Sequence, residues 1–370
     1  MNTMPGLSKI YLDTFCEVYD LIKPYSTGEF WEFTDITPEA GAVYLVGRTQ
    51  FNKHLSLIKR LAIEGHCYII LSNPFEGSET IKTHCELAEV DVLIKSGRIW
   101  VIGGGDMSPE WPCLSYDSFA TKIFTPPQNI AAAFRSDEIY AKHSKPYQFL
   151  CLNGRVRPHR KQLLDQLVAK DLLRSSLWTT LDAGFGQIQY LPKHYEVTRY
   201  QDKVGVDAET FVKYQLFNNE WGDIYLNPDA YIDTYFSLVT ETVFDYPYSF
   251  RTEKIWKPVA MAHPWIAVAN RGFYHDMHTL GFQTFGHVID ESFDQIDNNQ
   301  DRLTRIVTVV DDLCRQDLAS FLKECYNVCK YNQQHLALIA PVIQSEFPDR
   351  FFKFLTHNIN ERSRIQTLNP

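Results

Sequence analysis

Short apolar runs alternate with segments whose apolar residues recur at helical spacing, and this alternation sets the first expectations. Residues 41–47 (GAVYLVG), 66–71 (HCYIIL) and 98–102 (RIWVI) read as buried strands. Between them, residues 52–64 place Leu55, Ile58, Leu61 and Ala62 on one helical face, and residues 78–95 read as helical at least at their start. Ser72-Asn73-Pro74 ends the second strand and Gly103-Gly104-Gly105 the third. Residues 106–146 are rich in proline and weakly periodic, and the crossing between domains is placed there.

The pattern then restarts. Residues 147–153 (YQFLCLN) form a strand, followed by a basic loop and a helix from Pro158 to about Leu173, with Leu163, Leu164, Leu167 and Val168 facing inward. Further strands are read at 235–240 and 265–269, a helix with an internal Pro258 at 252–261, and a short helix at 273–280 ended by Gly281. Beyond Asn298 the chain reads as separate helices, 299–314, 317–330, 332–345 and 348–361. Two βα sets with a helical tail predict an α/β protein of two Rossmann-like domains facing across a cleft. The expected divisions are 1–145, 146–345 and a terminal helix at 346–370 that packs back on the first domain.

Composition narrows the function classes. The 370 residues are 45% hydrophobic, 22% charged and 14% aromatic, values of a globular chain. A formal net charge of -9 argues against non-specific nucleic-acid binding, which needs a basic face. The eight cysteines, Cys16, Cys67, Cys85, Cys113, Cys151, Cys314, Cys325 and Cys329, include no C-x-x-C pair and are read as reduced thiols of a cytoplasmic protein. Neither an apolar signal core nor a run of about 18 apolar residues occurs, so no membrane span is expected.

Three stretches carry chemistry. Asn153-Gly-Arg-Val-Arg-Pro-His-Arg160 leaves a strand and opens a helix. Backbone amides at a helix start attract anions, and arginine forks match phosphate oxygens, so Asn153, Arg155, Arg157 and Arg160 suit a diphosphate. A solvated basic loop is the plainer alternative. Thr240-Glu241-Thr242 ends an apolar strand. Phe250-Arg251-Thr252-Glu253-Lys254 opens a helix, with Thr252 as N-cap and Glu253 and Lys254 in its first turn. A carboxylate there can hold ribose hydroxyls, and a lysine can reach a phosphate. Taken by itself, this stretch is equally an ordinary capped helix start.

The segment from Thr240 through TEKIWKPVAMAHPWIAVAN (252–270) resembles the nucleotide-binding signature of α-1,3-fucosyltransferases. It resembles more closely a group of viral and phage proteins classed as glycosyltransferases, in which Gly281-Phe282-Gln283-Thr284-Phe285 and Ile289-Asp290-Glu291-Ser292-Phe293-Asp294 also have counterparts. The resemblance covers roughly residues 147–310. It implies a GT-B glycosyltransferase in which Glu253 holds the ribose, Lys254 binds phosphate, Arg160 neutralises the departing diphosphate and Glu241 lies near the donor sugar. Two departures, Thr242 in place of asparagine and a slightly longer loop before Glu253, bear on the sugar's identity more than on glycosyl transfer.

The implied donor is a nucleotide-diphosphate sugar, GDP- or UDP-linked, used without a metal. Charge on the departing diphosphate would be met by Arg160 and Lys254, with Arg155, Arg157 and Arg251 as further cations. A base for the acceptor hydroxyl is sought in the first domain, where Asp106, past the glycine run, is the candidate and Glu110 the next; a plain turn residue is the alternative for Asp106. The acceptor is a glycan or small molecule, or, in the viral variant, a hydroxymethylated DNA base reached in the host cytoplasm. A non-catalytic nucleotide- or glycan-binding protein on the same fold is a third reading. A dehydrogenase ranks low because the glycine run lacks the G-x-G-x-x-G spacing. His263, His275, His278 and His287 fit no zinc spacing and are read as structural or exposed, and Asp290-Glu291-Ser292 as a helix-cap region.

Overall fold

The computed structural model describes residues 9–30, 38–78, 80–81, 88–124, 127–153, 157–180, 226 and 228–368. Its contacts divide the chain into two compact units, Met1–Ser118 with Pro341–Pro370, and Phe119–Ala340. Each unit is built on one parallel sheet, and the chain is α/β, with helices between most but not all successive strands among the described residues.

Among the described residues the first unit has six parallel strands: β1 (Ile10–Asp13), β2 (Gly28–Phe30), β3 (Val43–Gly47), β4 (Tyr68–Asn73), β5 (Ile99–Gly103) and β6 (Cys113–Ser115), in the order β2-β1-β3-β4-β5-β6. β3, β4 and β5 are the continuous apolar runs expected of a sheet covered on both faces. One face, with Tyr44, Val46, Ile69, Leu71, Ile99 and Val101, packs on the helices Leu55–Glu64 and Ala88–Lys95. The other, with Leu12, Val43, Leu45, Ile70, Trp100 and Ile102, is covered by Phe347, Phe351 and Leu355 of the terminal helix. β1, β2 and β6 escape the reading of sequence because their three or four residues, IYLD, GEF and CLS, include polar positions and form no continuous apolar run.

Among the described residues the second unit has four parallel strands: β7 (Tyr147–Asn153), β8 (Leu177–Thr180), β9 (Thr234–Thr240) and β10 (Trp265–Val268), in the order β10-β9-β7-β8. β8 also went unread. From β7 the chain runs to β8 on one side and then to β9 on the other, so the order reverses between β7 and β9. In open α/β sheets ligands settle at the carboxyl ends of strands where the order reverses.

Two expectations are corrected. The separate helices read beyond residue 317 are one helix, Leu318–Leu368, with Pro341 and Pro348 inside it. Each proline removes one backbone hydrogen bond, but burial of Leu336, Ala340, Phe347, Phe351 and Leu355 carries the helix through them. Val168 is exposed rather than inward-facing, because the buried face of Pro158–Ala169 is formed by His159, Arg160, Leu163, Leu164 and Leu167, and Val168 lies one step beyond it. No helix among the described residues is long and apolar enough to cross a membrane.

Candidate functional site

The reversal point of the second sheet is tied together by side chains from three strands. At the end of β7, Asn153 is 1% exposed, and its Oδ1 accepts from the Thr240 hydroxyl of β9 at 2.6 Å. Its backbone N–H donates to Thr179 Oγ1 of β8 at 3.1 Å. The sheet thus ends in a fixed polar seam just where the helix Pro158–Ala169 begins.

That helix turns two polar residues inward from its first turn. Arg160, 4% exposed, donates from Nη2 to the carbonyls of Thr240 (3.0 Å) and Glu241 (3.2 Å). Burial lowers its pKa to about 10, against the pull of Glu241 and Glu253, so it stays a cation at neutral pH. His159 donates from Nε2 to the Glu241 carbonyl at 3.0 Å and stacks on Phe244 with ring centroids 5.3 Å apart. The carbonyl only accepts, so Nε2 carries the proton. Burial pushes the His159 pKa to about 3, so it is neutral.

The loop after β9 returns to the helix Glu253–Ala260. Thr252 is its N-cap, as expected, with its hydroxyl accepting from the Lys254 N–H. Glu241 is fully buried. One carboxylate oxygen accepts the Thr252 N–H at 3.1 Å, and the other accepts the Thr252 hydroxyl at 2.6 Å and the Thr242 N–H at 3.2 Å. Lys254 Nζ reaches Glu253 Oε1 at 2.5 Å, Thr252 Oγ1 at 3.2 Å and Thr242 Oγ1 at 3.4 Å. Arg251 is buried immediately before the cap.

The two carboxylates are driven apart in acidity. Burial raises the Glu241 pKa despite Lys254 and the Thr252 hydroxyl. Glu253 is equally penalised by burial, yet Lys254 and Lys257 hold it below the usual carboxylate range. A cation, a low-pKa carboxylate and the first turn of a helix at a sheet reversal are equipped to hold a polyol beside a phosphate.

The other expected residues fall as follows. Arg157 is the half-buried N-cap residue of the helix Pro158–Ala169, with no side-chain cap bond, and Arg155 lies outside the described residues. Asp106, past the positive-φ Gly105 and half-buried, belongs to the first unit, as does exposed Glu110. Among the described residues no group of three or more His, Cys, Asp or Glu could hold a metal ion. His263 is buried, donating from Nε2 to the Thr234 carbonyl and accepting from Ser237. Glu291 accepts from Thr284 Oγ1 and Phe285 N, and Asp290 from Ser292 N, which makes that stretch a local cap. What the sequence reading missed is the support: the Asn153 tie, His159, and Phe244, whose ring centroid lies 4.4 Å from the Arg302 guanidinium carbon.

His159 and His263, each pushed to about 3, make the second unit acid-sensitive. Unfolded histidine titrates near 6.5, so this stability is fully present above about pH 6.5 and is lost as pH falls towards 3, at up to about 1.4 kcal/mol per pH unit for each residue. Urea unfolding of wild type and His263→Asn at pH 7 and pH 5 should show a slope smaller by about one proton in the variant. An unchanged slope would show that His263 is not linked to folding.

Comparisons with protein-family models, with curated proteins and with solved structures returned no match to this chain.

Proposed function

We propose that the second unit binds a nucleoside-diphosphate sugar and that the chain is a glycosyltransferase of the GT-B kind. The observation that carries this reading is the meeting of Arg160, Glu241, Glu253 and Lys254 at the reversal between β7 and β9, with two of them in the first turn of a helix. In this reading Glu253, kept ionised by its lysines, accepts from the ribose hydroxyls. Lys254 and Arg160 face the diphosphate, and Glu241 holds the loop and cap in place. The bond from the anomeric carbon to the phosphate oxygen breaks while the acceptor oxygen bonds to that carbon. The proton of the acceptor hydroxyl passes to a base, and the negative charge left on the diphosphate is met by the cations without a metal. The acceptor is a glycan or small molecule.

The test is a thermal-shift series with GDP, UDP, ADP and CMP and their sugars, without added metal, on wild type and Glu253→Ala. One nucleotide series, present well above its Kd, should raise the wild-type Tm by about 5 °C and leave Glu253→Ala unshifted. No shift with any of them would overturn the reading.

A further inference from the structure

The ammonium of Lys254 has three hydrogens, and the protein itself engages all three. Nζ donates to Glu253 Oε1 at 2.5 Å, to Thr252 Oγ1 at 3.2 Å and to Thr242 Oγ1 at 3.4 Å. The side chain is 21% exposed, so the cation is within reach of a ligand. A phosphate oxygen can gain a full hydrogen bond from it only by taking the place of one of these acceptors, and the three differ in how readily they let go.

Two of them are committed. Glu253 is 8% exposed, and stripping a buried carboxylate of its cation is strongly destabilising. The Thr252 hydroxyl is saturated: it accepts from Lys254 Nζ and from the Lys254 N–H and donates to Glu241 Oε2. Turning it away would undo the helix cap. Thr242 is different. It is neutral and half-buried, and its bond to Lys254 is the longest of the three. Its backbone N–H is anchored on Glu241 Oε2 at 3.2 Å, so its hydroxyl can turn about χ1 while the chain stays in place.

We propose that Thr242 sets the affinity of the second unit for phosphate: its hydroxyl holds the third hydrogen of Lys254 in the free protein and yields it to a phosphate oxygen of the ligand. The proposal rests on the reading of this site as one for the diphosphate of a sugar nucleotide. The exchange replaces a neutral acceptor with an anionic one, and charge-assisted bonds are the stronger. A ligand hydroxyl is no better an acceptor than that of threonine and gains nothing. The latch therefore favours phosphorylated ligands over a bare nucleoside or sugar.

Thr242→Val and Thr242→Ala remove the hydroxyl with and without the branched shape, and Thr242→Ser keeps the hydroxyl. Calorimetric titration with inorganic pyrophosphate, at fixed ionic strength and without added metal, should show Thr242→Val and Thr242→Ala binding about two- to tenfold more tightly than wild type, the worth of one hydrogen bond that no longer has to be broken. Thr242→Ser should bind as wild type does, and Lys254→Met should not bind. Equal or weaker binding by Thr242→Val and Thr242→Ala, an equal gain in Thr242→Ser, or no binding of pyrophosphate by any of these proteins would overturn the role of Thr242. GDP and UDP titrated against the same proteins keep the two readings apart. A pyrophosphate gain without binding of either nucleotide would count against the sugar-nucleotide site and leave the latch standing. Nucleotide binding that is unchanged or weaker in Thr242→Val and Thr242→Ala would reject the latch and leave the site standing.

Discussion

Arg302→Ala is expected to destabilise the second unit by about 3–5 kcal/mol, from two charge-assisted bonds to backbone carbonyls and the cavity left behind. Arg302 lies in the helix Asn299–Cys314 and is 2% exposed. Its guanidinium donates to the carbonyls of Ile296 (2.9 Å) and Phe244 (2.6 Å) and to Asn299 Oδ1 (2.7 Å), and it lies over the Phe244 ring. Removing it strands the buried Phe244 carbonyl. It also frees the ring on which His159 stacks, so the loss reaches the residue that holds the Glu241 carbonyl. Arg302→Lys keeps the charge without the planar fork and should recover less than half of the lost stability. Urea unfolding of the three proteins decides it: a loss below about 1 kcal/mol for Arg302→Ala would show that the contacts carry little of the stability.

How much of this was legible in the sequence follows from how local each signal is. β3, β4, β5, β7, β9 and β10 were readable because runs such as VYLVG and YFSLVT are buried on both faces and need no partner to be recognised. The Thr252 cap was readable because it depends on residues two positions apart. The short strands gain their structure from pairing with distant neighbours, as β1 does between β2 and β3, and their own residues say little. The helix Leu318–Leu368 was read as broken because proline propensity is local while the burial that overrides it is not. In the site, residue types placed Arg160, Glu241, Glu253 and Lys254 together. They did not show that His159 is neutral, or that Asn153 joins three strands, since both facts depend on contacts 26 to 87 residues away.

Glu241 carries the second large effect. Its carboxylate accepts from three donors, the Thr252 N–H, the Thr252 hydroxyl and the Thr242 N–H, and so fixes the end of β9 to the start of the helix Glu253–Ala260. Glu241→Ala leaves these donors buried without an acceptor, and the expected loss is about 3–4 kcal/mol. Glu241→Gln separates shape from charge. Its amide fills the same space, but whichever way it turns, an NH2 group faces an N–H donor, either that of Thr252 or that of Thr242. The expected loss for Glu241→Gln is about 1–3 kcal/mol. Both variants should also lose the nucleotide-dependent thermal shift, because Thr252 and Lys254 are no longer held at the helix start. A Glu241→Gln protein with wild-type stability and an intact nucleotide shift would show that the carboxylate is not the clamp. The same pair of measurements on Glu253→Ala should give the opposite balance, loss of nucleotide response with the smaller change in unfolding midpoint, because no backbone of the loop after β9 hangs on Glu253. That contrast separates the residue that builds the site from the residue that meets the ligand.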